Sequence, residues 1–191
     1  MPPPAQETER AAAGPLTLQR HPSTPCRHAL QLAVHLAWAG AGRLRIDYIL
    51  TGDCRTLLLP PRNNQPGPRD GLWQHTCMEA FLGTPDSPAY QEFNFSPSGD
   101  WAAFAFSGYR QRTGDGSVFA PPVISVHATP RAIRVRVQLA LGPAREQAQT
   151  LLGLSAVVEH RDGRRCYWAL AHPCDDPDFH ARAGWLATLP P

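Results

Sequence analysis

Residues 72–110 read LWQHTCMEAFLGTPDSPAYQEFNFSPSGDWAAFAFSGYR, and the alternation within them decides the fold. It predicts three consecutive antiparallel strands, about Leu72–Leu82, Ala89–Ser96 and Asp100–Ser107. Successive side chains on a strand point to opposite faces. With Glu79 set opposite Glu92, Phe81 meets Tyr90, Cys77 meets Asn94 and His75 meets Ser96. One face then carries Trp73, His75, Cys77, Glu79, Tyr90, Glu92 and Asn94. The Pro97–Gly99 turn adds Trp101, Ala103 and Ala105 to it. The other face carries Leu72, Met78, Leu82, Phe93, Phe95, Phe104 and Phe106, and reads as core. The first face mixes aromatic, acidic and imidazole groups with small alanines, where a solvated face would show more Lys, Thr and Ser. It reads as the floor of a ligand groove; a satisfied polar inner layer is the plainer alternative.

Outward from this stretch the pattern repeats. Leu30, Leu32, Val34, Leu36 and Trp38 alternate with polar or small residues, and Leu44, Ile46, Tyr48 and Leu50 do so after the Gly40–Gly42 turn. The two runs predict a hairpin. A short strand is expected near Thr56–Leu59. Val123–Ala128 and the run Ile133, Val135, Val137, Leu139, Leu141 are further strands, and RQRTGDGS after Tyr109 is a polar loop. Pro143–Leu151 is the one expected helix, with proline at its start. Leu154–His160 and Arg164–Ala171 flank Asp162–Gly163, a two-residue hairpin signal. An edge strand is expected around Trp185–Leu189. Many strands, one short helix and regular turns imply an all-β, immunoglobulin-like antiparallel sandwich. Residues 1–14 read as a flexible tail and 15–191 as a single domain.

The 191 residues suit one domain with a full core. A net charge of +2, with arginines scattered along the chain, gives no footprint for nucleic acid or an anionic membrane. No apolar run has the roughly 18–20 residues a membrane span needs. The start lacks a basic segment and an apolar h-region, so the expected location is cytoplasmic. Five unevenly spaced cysteines fit reduced thiols better than a disulfide framework. The 21 prolines fall mainly between patterned runs and mark loops and strand edges.

Four chemistries compete for these residues. His160, Cys166, His172, Cys174 and His180 are zinc ligands by type, but their spacing matches no ligand pattern, and Cys166 reads as a small residue within a strand. Glu79 and Glu92, about 5 Å apart at Cβ if directly opposed, have the separation of a retaining glycosidase pair. The same pair would suit a calcium site or sugar-hydroxyl acceptors. No G-x-S-x-G accompanies them. Non-covalent haem needs axial ligands such as Met78 with His127, His172 or His180, although alternation sets Met78 on the face opposite His75. Sugar binding needs aromatic faces beside carboxylates and amides, and Trp73, Tyr90, Trp101, Glu79, Glu92 and Asn94 supply them.

The strings GLWQHTCMEAFL, YQEFNFSPSGDWAAFAFSGYR, LGLSAVVEHRDGRRCYWALAHP and PDFH resemble those of bacterial DOMON-like domain proteins, relatives of DOMON domains and family-9 carbohydrate-binding modules. The resemblance spans roughly Leu16 to Leu189. It implies an immunoglobulin-like sandwich whose cavity or face takes a sugar or a haem. Carried over by motif, the module's tryptophan-then-glutamate strand falls on Trp73 and Glu79, and its following strand on Tyr90, Glu92, Phe93, Asn94, Phe95, Ser96 and Pro97. Met78 stands where the subgroup usually has an aromatic, which weakens it as a shared haem ligand. The missing secretion signal departs from the extracellular habit of the sugar and haem relatives. The sequence therefore points to a non-catalytic small-ligand module with Trp73, His75, Glu79, Tyr90, Glu92, Asn94 and Trp101 at its site. A sugar or sugar-containing metabolite is the first ligand, haem the alternative cofactor, and a protein partner on an open sheet edge the third reading.

Overall fold

A computed structural model describes residues 10–11, 14–26, 29–40, 42–143 and 149–189. Strands β1 to β13 span Arg10–Ala11, Leu16–Arg20, Leu30–Trp38, Arg43–Gly52, Cys77–Gly83, Tyr90–Phe95, Trp101–Phe106, Arg112–Asp115, Ala120–Ala128, Ala132–Ala140, Thr150–Glu159, Arg165–Ala169 and Ala187–Leu189. All strand pairs are antiparallel. They form one curled sheet in the order β8-β7-β6-β5-β11-β12-β2-β3-β4-β10-β9, with β1 on β3 and β13 on β11. The short β12–β2 pairing, Trp168↔Arg20 and Ala169↔Gln19, is the seam where the sheet folds over on itself.

The all-β sandwich expected from the sequence is thus present, and its core lies between the two halves. Leu32, Val34, Leu36, Ile46, Tyr48 and Val135 come from one half; Met78, Leu82, Phe93, Phe95, Leu152 and Leu154 come from the other. Each set holds every second position of its strand, so burying one face of each ladder closes the core. Tyr48 also ties the halves together, its hydroxyl donating to the Glu79 carbonyl at 2.7 Å. The edge strands are β8 and β9, and β9 carries Pro121 and Pro122, which cannot donate to a further strand.

Several local expectations change. Leu72–Gln74 is a 3-10 turn, so the first meander strand starts at Cys77. Cys54–Thr56 is another such turn, and only Leu57 bridges, to His160. Part of the loop after Tyr109 pairs with β7 as β8. The expected helix falls mostly on residues 144–148, outside the described residues, while Thr150 and Leu151 begin β11. Within the expected tail, Arg10–Ala11 pairs with Ala37–Trp38; its other residues, apart from Gly14, lie outside the described ones. The thiols are not all reduced: Cys26 and Cys166 form a disulfide, while Cys54, Cys77 and Cys174 are free. Among the described residues, no helix is long and apolar enough to cross a membrane.

Candidate functional site

The meander pairs with a different register from the expected one. Asn94 lies opposite Glu79 and Glu92 opposite Phe81. The loop joining β5 to β6 therefore shifts the ladder by two residues, and a shift of two keeps every side chain on its face. Glu79 and Glu92 stay together, but as diagonal neighbours. The next strand departs further. Ser96 donates its N–H to the Asp100 carbonyl, so the turn keeps odd positions opposite odd ones and Phe95 faces Trp101. Trp101 packs with the main core, while Phe104 and Phe106 join Phe81 and Tyr90 on the Glu92 face. Those three aromatics thus occupy the faces opposite to the expected ones, because the Pro97–Gly99 turn pairs residues of like parity.

The Glu92 face looks away from the main core and is covered by the C-terminal segment. Trp185 stacks on Phe81 with ring centroids 5.7 Å apart. Its indole lies directly against Gly153, where an added Cβ would sit 2.4 Å from the ring. The same indole donates to the Phe179 carbonyl at 2.9 Å. Asp178 accepts from Arg110 at 2.9 Å, from the Tyr109 hydroxyl and from the His180 amide. These bonds hold Arg110 at φ 55, outside the ordinary L-residue region.

Where that cover ends, a pocket of about 430 Å³ opens. Glu79 and Glu92 lie at its base, Trp73, Phe104 and Phe106 line it, and Arg110, Arg112 and His180 complete the wall. Trp73 is 39% exposed and meets Phe104 edge-on at 5.9 Å. Arg112 lies 4.0 Å over the other aromatic, Phe104, while bonded to Asp70 and Asp115. A second, larger depression of about 980 Å³ shares Trp73, Gln74 and Arg112 with the first, so the indole stands between the two.

The carboxylates differ in their support. Glu92 Oε1 accepts from Asn94 Nδ2 at 2.7 Å. Burial raises its pKa, and Asn94, Arg112 and Arg110 pull it back. Glu79 is only 3% exposed, and its Oε1 has no hydrogen-bond donor among the described residues. Burial raises its pKa strongly and Glu92 adds to the rise, while nearby Ser155 opposes it. His180 goes the other way, to about 4, through burial and the Arg110 charge. It is therefore neutral near pH 7. Tyr90 Oη accepts from the Arg110 amide and lies 2.8 Å from His180 Nδ1, so its proton goes to Nδ1. Nε2 then carries the imidazole proton and faces Glu92 Oε2 at 3.7 Å.

Of the seven residues expected at the site, Trp73, Glu79 and Glu92 line the pocket. Tyr90 and Asn94 lie beneath it and fix His180 and Glu92. His75 is an exposed turn residue paired with Glu159 at 2.9 Å, and it borders the larger depression. Trp101 belongs elsewhere. Met78 packs in the main core, so it offers the pocket no haem ligand. Alternation alone does not reveal Phe104 and Phe106, because the parity of the β6–β7 turn decides their face, nor Arg110, Arg112 and His180, because nothing local links them to Glu92.

No family model matches the chain, and no curated protein matches it. Solved structures do. A protein from Bacteroides uniformis ATCC 8492, provisionally described as carbohydrate-binding, aligns over 95% of this chain and 85% of its own at 12% identity and a TM-score of 0.62. A family-9 carbohydrate-binding module from Caldicellulosiruptor kristjanssonii in complex with cellotriose aligns over 81% and 72% at 13% identity, TM-score 0.49. A glucose complex of such a module from the same organism aligns over 81% and 74% at 14% identity, TM-score 0.47. The first likeness is one of fold.

Proposed function

We propose that the chain binds a carbohydrate or a sugar-containing metabolite in the Trp73–Glu79–Glu92 pocket and does not turn it over. The observation that carries this reading is the Glu79 carboxyl: buried, short of a donor at Oε1, and part of the lining of a pocket walled by an exposed indole. A buried carboxyl oxygen short of a donor is costly, and a ligand hydroxyl removes that cost. Burial and the nearby Glu92 favour the protonated form of Glu79, which donates as well as accepts, while Glu92, held by Asn94, accepts. The Trp73 ring supplies an apolar surface for pyranose C–H groups. The resemblance to DOMON-like proteins and the fold shared with the Bacteroides protein support the same reading. Titration with a panel of glycans and nucleotide sugars, followed by tryptophan fluorescence, is the test. Saturable quenching that Glu79→Ala abolishes is expected, with no released reducing ends. Silence across the panel, or binding indifferent to Glu79→Ala, contradicts the proposal.

A further inference from the structure

The seam side of the molecule gathers three ligand-type side chains that sequence spacing does not connect. Cys26 lies in the loop after β2, Cys166 on β12, and His160 just past the end of β11. The cysteines are 140 positions apart. Even so, the two sulfurs and an imidazole nitrogen lie within 4.8 Å of one another, with His160 Nε2 at 3.3 Å from Cys166 Sγ. Metal–sulfur bonds of ~2.3 Å and metal–nitrogen bonds of ~2.0 Å set tetrahedral ligand atoms roughly 3.5–3.8 Å apart, so a small separation of the sulfurs completes the geometry.

We propose that the reduced chain binds one zinc ion through Cys26, His160 and Cys166, and that the disulfide form is its metal-free state. Two thiolates and a neutral imidazole balance a divalent cation, so the buried complex carries no net charge. Sulfur and imidazole ligands favour zinc over calcium or magnesium. His160 and Cys166 are 6% and 1% exposed, whereas Cys26 is part-exposed. Among the described residues, Cys26 is thus the ligand nearest solvent. Arg165 and Tyr167 line the pocket described above, and alternation turns Cys166 away from it. The metal and the pocket ligand do not compete.

A water-soluble phosphine opens the site. The S–S bond breaks, two thiols form with protons from water, and the phosphine takes the water oxygen to become its oxide. Zinc then displaces both thiol protons to solvent. The experiment adds cobalt(II) or zinc to the full chain before and after phosphine treatment, reading the thiolate-to-cobalt charge-transfer band and bound metal per chain. The reduced chain is expected to take up one equivalent with the sulfur–cobalt band, and the untreated chain none. Cys26→Ser, a near-isosteric change at a loop side chain that flanks the core, should abolish uptake, and Cys174→Ser should leave it unchanged. No uptake by the reduced chain, equal uptake by Cys26→Ser, or loss of uptake in Cys174→Ser alone overturns the assignment.

Discussion

The two faces of the β5–β6–β11 region are both buried, but by different partners. The inner face presents Met78, Leu82, Phe93, Phe95 and Leu154 to the opposing half of the sheet. The outer face presents Glu79, Phe81, Glu92 and Asn94, and the C-terminal segment with Trp185, Phe179 and His180 covers it only in part. Adjacent residues of one strand thus serve opposite ends. A full sheet seals the inner face and makes it dense. A single irregular segment cannot seal the outer face, and the gap it leaves holds two carboxyl groups and an accessible indole. Dense apolar packing lies on one side of these strands and the pocket with its two carboxyl groups on the other.

That division is open to challenge, and the largest effect should come from the inner face. Phe95→Ala removes a fully buried ring and should cost about 3–5 kcal/mol, read by urea unfolding. A loss under about 1 kcal/mol would mean that the inner face is not the stability-bearing one. Asn94→Ala comes next. It strands the buried Glu92 carboxyl and removes the Cys77 Sγ contact, so a loss of about 2 kcal/mol is expected, together with weaker ligand binding. Trp73→Ala and Trp101→Ala sharpen the contrast. Trp73→Ala should reduce sugar affinity about tenfold, near 1.4 kcal/mol, with little change in stability, and Trp101→Ala should do the reverse. Matching behaviour of the two would erase the distinction between the faces.

The smallest effect is in pH dependence. Glu79 has its folded-state pKa raised by burial and by Glu92. Its contribution to stability is full below the unfolded carboxylate value and is lost as pH climbs through the folded one. Glu79→Gln should therefore gain on the wild type as pH rises above the ordinary carboxylate range, and the two should converge in acid. His180 has the opposite sign: lowered from 6.5 to about 4, it costs stability as pH falls through that window. Replacing it with Gln should flatten the acid limb. Thermal unfolding across a pH series reads both, and parallel curves for wild type and Glu79→Gln would contradict the burial of that carboxyl.

Much of this was legible from residue order alone. Strict alternation in Leu30–Trp38 and Arg43–Leu50 predicts the hairpin, and Asp162–Gly163 locates the β11–β12 turn. The grouping of Glu79 with Glu92 survives a different register, because a slip of two residues leaves the faces unchanged, whereas Trp73 reaches the same pocket from the 3-10 turn before the strand. Trp101 lies on the other face, because a difference of one residue in a tight turn swaps the faces. Arg110 and His180 reach Glu92 through chain crossings that no periodicity encodes, and the same holds for Cys26 beside Cys166. Local order yields faces; the covers placed over them are tertiary.

A crystal structure of the chain soaked with whichever sugar quenches its fluorescence would be the most direct measurement. The pocket reading predicts ring density against Trp73 with hydroxyls within hydrogen-bond distance of Glu79 and Glu92. Sugar seated elsewhere, with Glu79 Oε1 still short of a donor, would contradict it.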